Sequence, residues 1–99
     1  MMYTVYGRFE WDSEKAQLNL QKHGINFQMA AFAFDDPWAF VINDDKHSQD
    51  EIREWLIGES DSNILVVVFT IRIGEKIRII SARRANYRER MLYEENKGV

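Results

Sequence analysis

Residues 64–70 read Ile-Leu-Val-Val-Val-Phe-Thr, an uninterrupted stretch with no charged side chain. β-Branched residues lose little in a pleated strand and pack well there, so the run suits a central strand buried on both faces. Turn signals bracket it: Ser60-Asp61-Ser62-Asn63 before it and Gly74-Glu75 after it. On either side the pattern changes to alternation. REWLIGE (53–59) sets Trp55 and Ile57 against Glu54 and Leu56, and KIRIISA (76–82) sets Ile77 and Ile79 against Arg78 and Ile80. WAFVI (38–42) adds one more strand, separated by the polar loop NDDKHSQD (43–50). Short turns between such runs imply antiparallel neighbours.

The segment ahead of these strands reads differently. VYGRFEW (5–11) is short and β-like, with Phe9 and Trp11 on one side. Asp12 is a helix N-cap, SEKAQLNLQKH (13–23) contains helix formers and no breaker, and Gly24 closes the helix. Asn26 caps a second short helix, FQMAAFAF, which Asp35-Asp36-Pro37 ends because the residue before proline avoids the α region. At the other end, Asn86 with Glu89 three residues on resembles a capping box for a last helix, with Tyr87, Met91 and Leu92 available for packing. The predicted class is α+β: two N-terminal helices, an antiparallel four-stranded sheet and a C-terminal helix. The 99 residues fit a single domain, 1–99.

Composition excludes several function classes. With no cysteine there is no disulfide scaffold and no thiolate metal site. The longest apolar run is far shorter than a membrane span, and no signal-length apolar run stands at the N-terminus, so we expect a cytoplasmic protein without membrane contact. The net charge of −3 hides an asymmetry: residues 1–63 carry five Lys/Arg against twelve Asp/Glu, and residues 64–99 carry eight against four. On charge alone, solvated basic faces explain this third better than a local phosphate footprint. There is no glycine-rich phosphate loop, nucleophile elbow or zinc-ligand spacing. Asp35-Asp36-Pro37 is explained as a helix stop rather than a cation site.

Taken in order, FEWDSEKAQLNLQKHGINF, FDDP, the DKHSQDEIRE–W–IG block, LVVVFT followed by Arg72, Gly74 and IRIISARRA, and the RER–YE tail resemble the BrnT family across residues 9–94. Glu54 departs from the pattern, since an aromatic often follows Arg53 in that block, and Asn86 stands where a threonine is frequent. The resemblance implies the toxin of a type II toxin–antitoxin pair with a RelE-like fold. It further implies an endoribonuclease that cleaves RNA without metal or cofactor and inhibits translation. The implied partners are RNA and a neutralising ribbon-helix-helix antitoxin, through which alone operator DNA would be contacted.

Metal-free RNA cleavage needs a base for the ribose 2′-OH, an acid for the leaving 5′-oxygen and cations for the phosphorane. His23, at the predicted end of the first helix where the dipole favours imidazolium, is the first proton carrier, with Lys22 beside it. Taken alone, His23 is better explained as a helix-terminal residue bonded to carbonyls, and only the resemblance brings the two readings level. His47, in the polar loop, is a weaker acid/base candidate. Arg53 and Arg83 join the catalytic set, and Arg72, Arg78 and Arg84 are assigned to RNA phosphates, because guanidinium is always charged and binds bidentately. Singly, each arginine is better explained by a surface ion pair; as a set on the last two strands they gain weight as phosphate ligands. Strand alternation sends Arg83 and Arg84 to different faces, and Arg83 is the one expected at the active face. Glu51 and Glu54 are possible bases. Trp38 and Trp55 could stack on bases, whereas Trp11 is expected in the core. The alternative is a non-enzymatic module whose basic face docks an acidic partner. An enzyme should gather His23 and at least two arginines around one concavity.

Overall fold

The computed structural model describes residues 2–47 and 51–98, with the side chain of His47 outside what is described. It opens with a hairpin: β1 (Tyr3–Tyr6) pairs antiparallel with β2 (Phe9–Asp12) across the two-residue turn Gly7-Arg8. Gly7 sits at φ +60°, the positive value that such a tight turn demands of its first central residue. Asp12 then accepts the N–H groups of Glu14 and Lys15 and starts α1 (Ser13–His23), which Gly24 ends at φ 72°. Asn26 caps α2 (Phe27–Phe32), and a 3-10 turn (Ala33–Asp35) follows. Four more strands, β3 (Phe40–Asn43), β4 (Glu54–Ser60), β5 (Asn63–Ile71) and β6 (Ile77–Arg84), lead to α3 (Tyr87–Lys97).

The class is α+β, but the expected antiparallel four-stranded sheet headed by two helices is overturned. The sheet has six strands in the order β1-β2-β6-β5-β4-β3, and β2 lies parallel to β6 through Phe9–Ile77 and Glu10–Arg78. A hairpin therefore precedes the two helices. The cause is long-range: Gly7 folds the first β-like segment on itself, and docking on β6 buries Phe9 and Trp11. A parallel pair requires a crossover connection; here the whole chain from α1 to β5 supplies it.

β5 explains the apolar run. Leu65, Val67 and Phe69 face a core shared with Phe9, Trp11, Ile25, Phe27, Ala30 and Ala33 beneath α1 and α2. Val66 faces a second, smaller core with Ile57, Ala85 and Tyr93 beneath α3. The packing face of α3 differs from expectation. Tyr87, Met91 and Leu92 are exposed, and Glu89 and Tyr93 are buried instead. Two polar clasps turn the helix that way: Glu89 binds Arg83, and the Tyr93 hydroxyl donates to Asp36 Oδ2 at 2.6 Å. Among the described residues, no helix is long and apolar enough to cross a membrane.

Candidate functional site

The functional candidates lie around β6. β2 accompanies β6 only over Ile77 and Arg78, so further along the strand the outward backbone groups of β6 need other partners. Asn19 of α1 supplies them at Ala82. Its Nδ2 donates to the Ala82 carbonyl at 2.8 Å, and its Oδ1 accepts the Ala82 N–H at 3.2 Å. The same Nδ2 donates to the Ile25 carbonyl at 3.0 Å. Helix α1 is thereby fixed along the edge of β6, with its last turn at the C-terminal end of the strand.

At that end Arg84 Nη1 donates to the His23 carbonyl at 3.2 Å. His23 is half-buried, while Lys22 and Arg84 are exposed. Three basic residues thus stand at one corner, at the carbonyl-rich terminus of α1 where cations are favoured. Register puts the two adjacent arginines on opposite faces, as alternation requires: Arg84 opposes Leu65, and Arg83 opposes Val66. It is Arg84 that meets α1.

Arg83 is occupied elsewhere. Its Nη1 and Nη2 donate to the two Glu89 oxygens at 2.8 Å each, and the guanidinium carbon lies 5.7 Å from the centre of the Trp55 ring. Glu89 Oε1 also accepts the Asn86 N–H at 2.8 Å, closing the capping box of α3. The Arg83 hydrogen bonds hold the Glu89 carboxyl below its ordinary value, against its burial. In turn, Glu89 holds Arg83 above its ordinary value.

Arg72 and Arg78 line a cavity of about 690 Å³ with Glu10, Glu51, Glu54 and Thr70. Arg78 donates through Nε to Glu10 Oε2 at 2.7 Å, and through Nη2 to the same oxygen. Burial works against the charge on Arg78, but the Glu10 contacts outweigh it and the guanidinium stays above its ordinary value. Arg72 Nη1 donates to Glu51 Oε2 at 3.0 Å, and Arg53 Nε lies 4.0 Å from Glu51 Oε1. Glu54 lines this cavity alongside Arg72 and Arg78. From Arg78 to Arg84 is six strand residues, or about 20 Å. The seven candidates therefore divide three ways: Lys22, His23 and Arg84 at one corner, Arg83 under α3, and Arg53, Arg72 and Arg78 near the cavity; among the described residues His23 meets one arginine, not the two around one concavity that were expected of an enzyme.

A family model described as "Ribonuclease toxin, BrnT, of type II toxin-antitoxin system" matches residues 11–89. The chain belongs to the BrnT family. The crystal structure of the Brucella abortus ribonuclease toxin BrnT aligns with 30% identity and a TM-score of 0.59, covering 77% of this chain and 92% of that one. No curated protein matches the chain. The BrnT match spans both the His23–Arg84 corner and the Arg83–Glu89 clasp, and stops before most of α3.

Of the tryptophans, Trp11 is core, Trp38 is exposed, and Trp55 donates its Nε1–H to Asp44 while lying beside Arg83. Two residues escaped the sequence reading. Glu89 was legible as a cap, though not as the partner of Arg83. Asn19 left one trace: a poor helix former in the middle of a helix, where its amide competes with the backbone unless tertiary partners take it.

Proposed function

We propose that the chain is a metal-independent endoribonuclease with a RelE-like mechanism. In this reading it inhibits translation, and a ribbon-helix-helix antitoxin neutralises it. The observation that carries the site is the Arg84–His23 contact, which joins a guanidinium to the histidine-bearing end of α1 with Lys22 alongside. His23 moves the proton at the 2′-OH or the 5′-oxygen, and the other proton is exchanged with water. Arg84 and Lys22 supply charge to the phosphorane, a term that grows as water is excluded. Arg84 suits this role because its guanidinium donates to a carbonyl, whereas Arg72, Arg78 and Arg83 are each set against a carboxylate. Arg83 then acts through the scaffold by holding α3. The test is cleavage of a single-stranded RNA in EDTA by the purified toxin. Loss of roughly 10²-fold or more is expected for His23→Ala and for Arg84→Ala, with Arg78→Ala much less affected. Equal rates in all four proteins would defeat the site.

The cavity favours a second reading, of a docking module. Its paired arginines and glutamates leave little net charge for phosphate and suit a charged protein segment. That reading prevails if the wild type, free of antitoxin, cleaves no RNA while Arg72→Ala and Arg78→Ala weaken antitoxin binding.

A further inference from the structure

We infer that Asn19 is a positioning residue for RNA cleavage, setting where His23 stands relative to Arg84. The inference rests on the reading of those two residues as the reacting pair. Asn19 is the buried residue of α1, and a buried amide is costly unless its bonds are made. All three of its bonds leave its own helix, going to both backbone groups of Ala82 and to the Ile25 carbonyl. Ala82 stands two residues before Arg84 on the same side of β6, and Ile25 two residues after His23. One side chain therefore clamps the strand that delivers Arg84 and the chain that leaves His23. His23 also lies one helical turn beyond Asn19, on the same half-buried face as Ala16.

An apolar side chain at residue 19 could press α1 onto the sheet, but apolar contact is non-directional and leaves the helix free to slide along β6. Hydrogen bonds near 3 Å to a fixed pair of backbone groups do not permit that slide. A displacement of about 1 Å at a reacting group costs on the order of 10²-fold in rate. Asn19 thus determines the geometry of the corner without touching RNA.

The experiment compares the wild type with Asn19→Asp, which keeps the shape and the acceptor but loses both donations. Asn19→Ser is a smaller second variant, and Ile57→Val, in the core beneath α3, is a destabilised control. Each full-length protein is assayed on a labelled single-stranded RNA in EDTA, with rates taken per folded molecule from circular dichroism. The His23 imidazole resonance is followed by NMR. Expected for both Asn19 variants are a kcat lower by about 10²-fold, a KM within about twofold and a displaced His23 resonance, while Ile57→Val retains wild-type kcat and resonance at a comparable loss of Tm. A wild-type kcat in the Asn19 variants, or a decline no greater than that of Ile57→Val at equal Tm, would overturn the inference. An inactive His23→Ala beside a fully active Asn19→Asp sinks the inference alone. A fully active His23→Ala sinks the site reading, and the inference with it.

Discussion

Replacing Glu89 with glutamine should detach α3 from the sheet without disturbing the larger core. Glu89 is 8% exposed and accepts three hydrogen bonds of 2.8 Å, two from Arg83 and one from the Asn86 N–H. Glutamine keeps one acceptor oxygen, so at most part of this set survives. Hydrogen bonds to charged groups contribute about 1.5–3 kcal/mol each. The Arg83 side chain is 35% exposed, so water takes back much of the guanidinium once its partner is gone. About 2 kcal/mol is the expected net loss, which for a chain of this size lowers Tm by roughly 8–16 °C. The sign of the pH dependence follows from the carboxyl. Its folded-state pKa is depressed, first by the Arg83 hydrogen bonds, so its contribution is complete above the unfolded value of about 4.3 and disappears as pH falls through the folded value. Thermal melts of the wild type and Glu89→Gln at pH 7, 5 and 3 should therefore show a wide gap at the first two values and a narrower one at the last. A gap under about 3 °C at pH 7, or a gap indifferent to pH, would refute the role assigned to the clasp.

Two further changes probe the packing. Gly58→Ala would place a Cβ 2.8 Å from the Ala33 carbonyl oxygen and 2.9 Å from the Ala39 Cβ, so about 1–3 kcal/mol or more should be lost, visible as a lower urea midpoint; an unchanged midpoint would contradict the close approach of β4 to the turn after α2. Tyr93→Phe removes one of the bonds that, with the Glu59 and Trp38 N–H groups, outweigh burial and hold Asp36 below its ordinary value. The Asp36 carboxyl, followed by NMR, should titrate at higher pH in that variant, with a stability loss of about 1–2 kcal/mol; an unmoved midpoint would show that the hydroxyl contributes nothing.

Most local features were legible because they depend on neighbours a few residues away. Asp12, Gly24 and Asn26 bound the first two helices as their side chains and backbone preferences dictate, and the Asn86–Glu89 box opens the third. The β-branched run became the doubly covered β5. Alternation along β6 divided Arg83 from Arg84. It could not say which of them would meet α1, because that depends on where the helix lies in space.

The amino-acid sequence alone determined where the helices start, the central strand, the α+β class and, through its ordered motifs, the family; α2 stops at Phe32, short of the FQMAAFAF expected. The tertiary structure decided the rest. It made the sheet six-stranded and mixed, since β2 pairs with β6, a strand far from it in the sequence. It turned Glu89 and Tyr93 inward in place of Met91 and Leu92, since the partners Arg83 and Asp36 lie outside the helix. It also placed Arg84 beside His23 and paired Arg78 with Glu10, across separations of 61 and 68 residues. Caps, turns and alternation are local energies and can be read from a short window, whereas the partner of a charge is settled only when distant strands and helices meet.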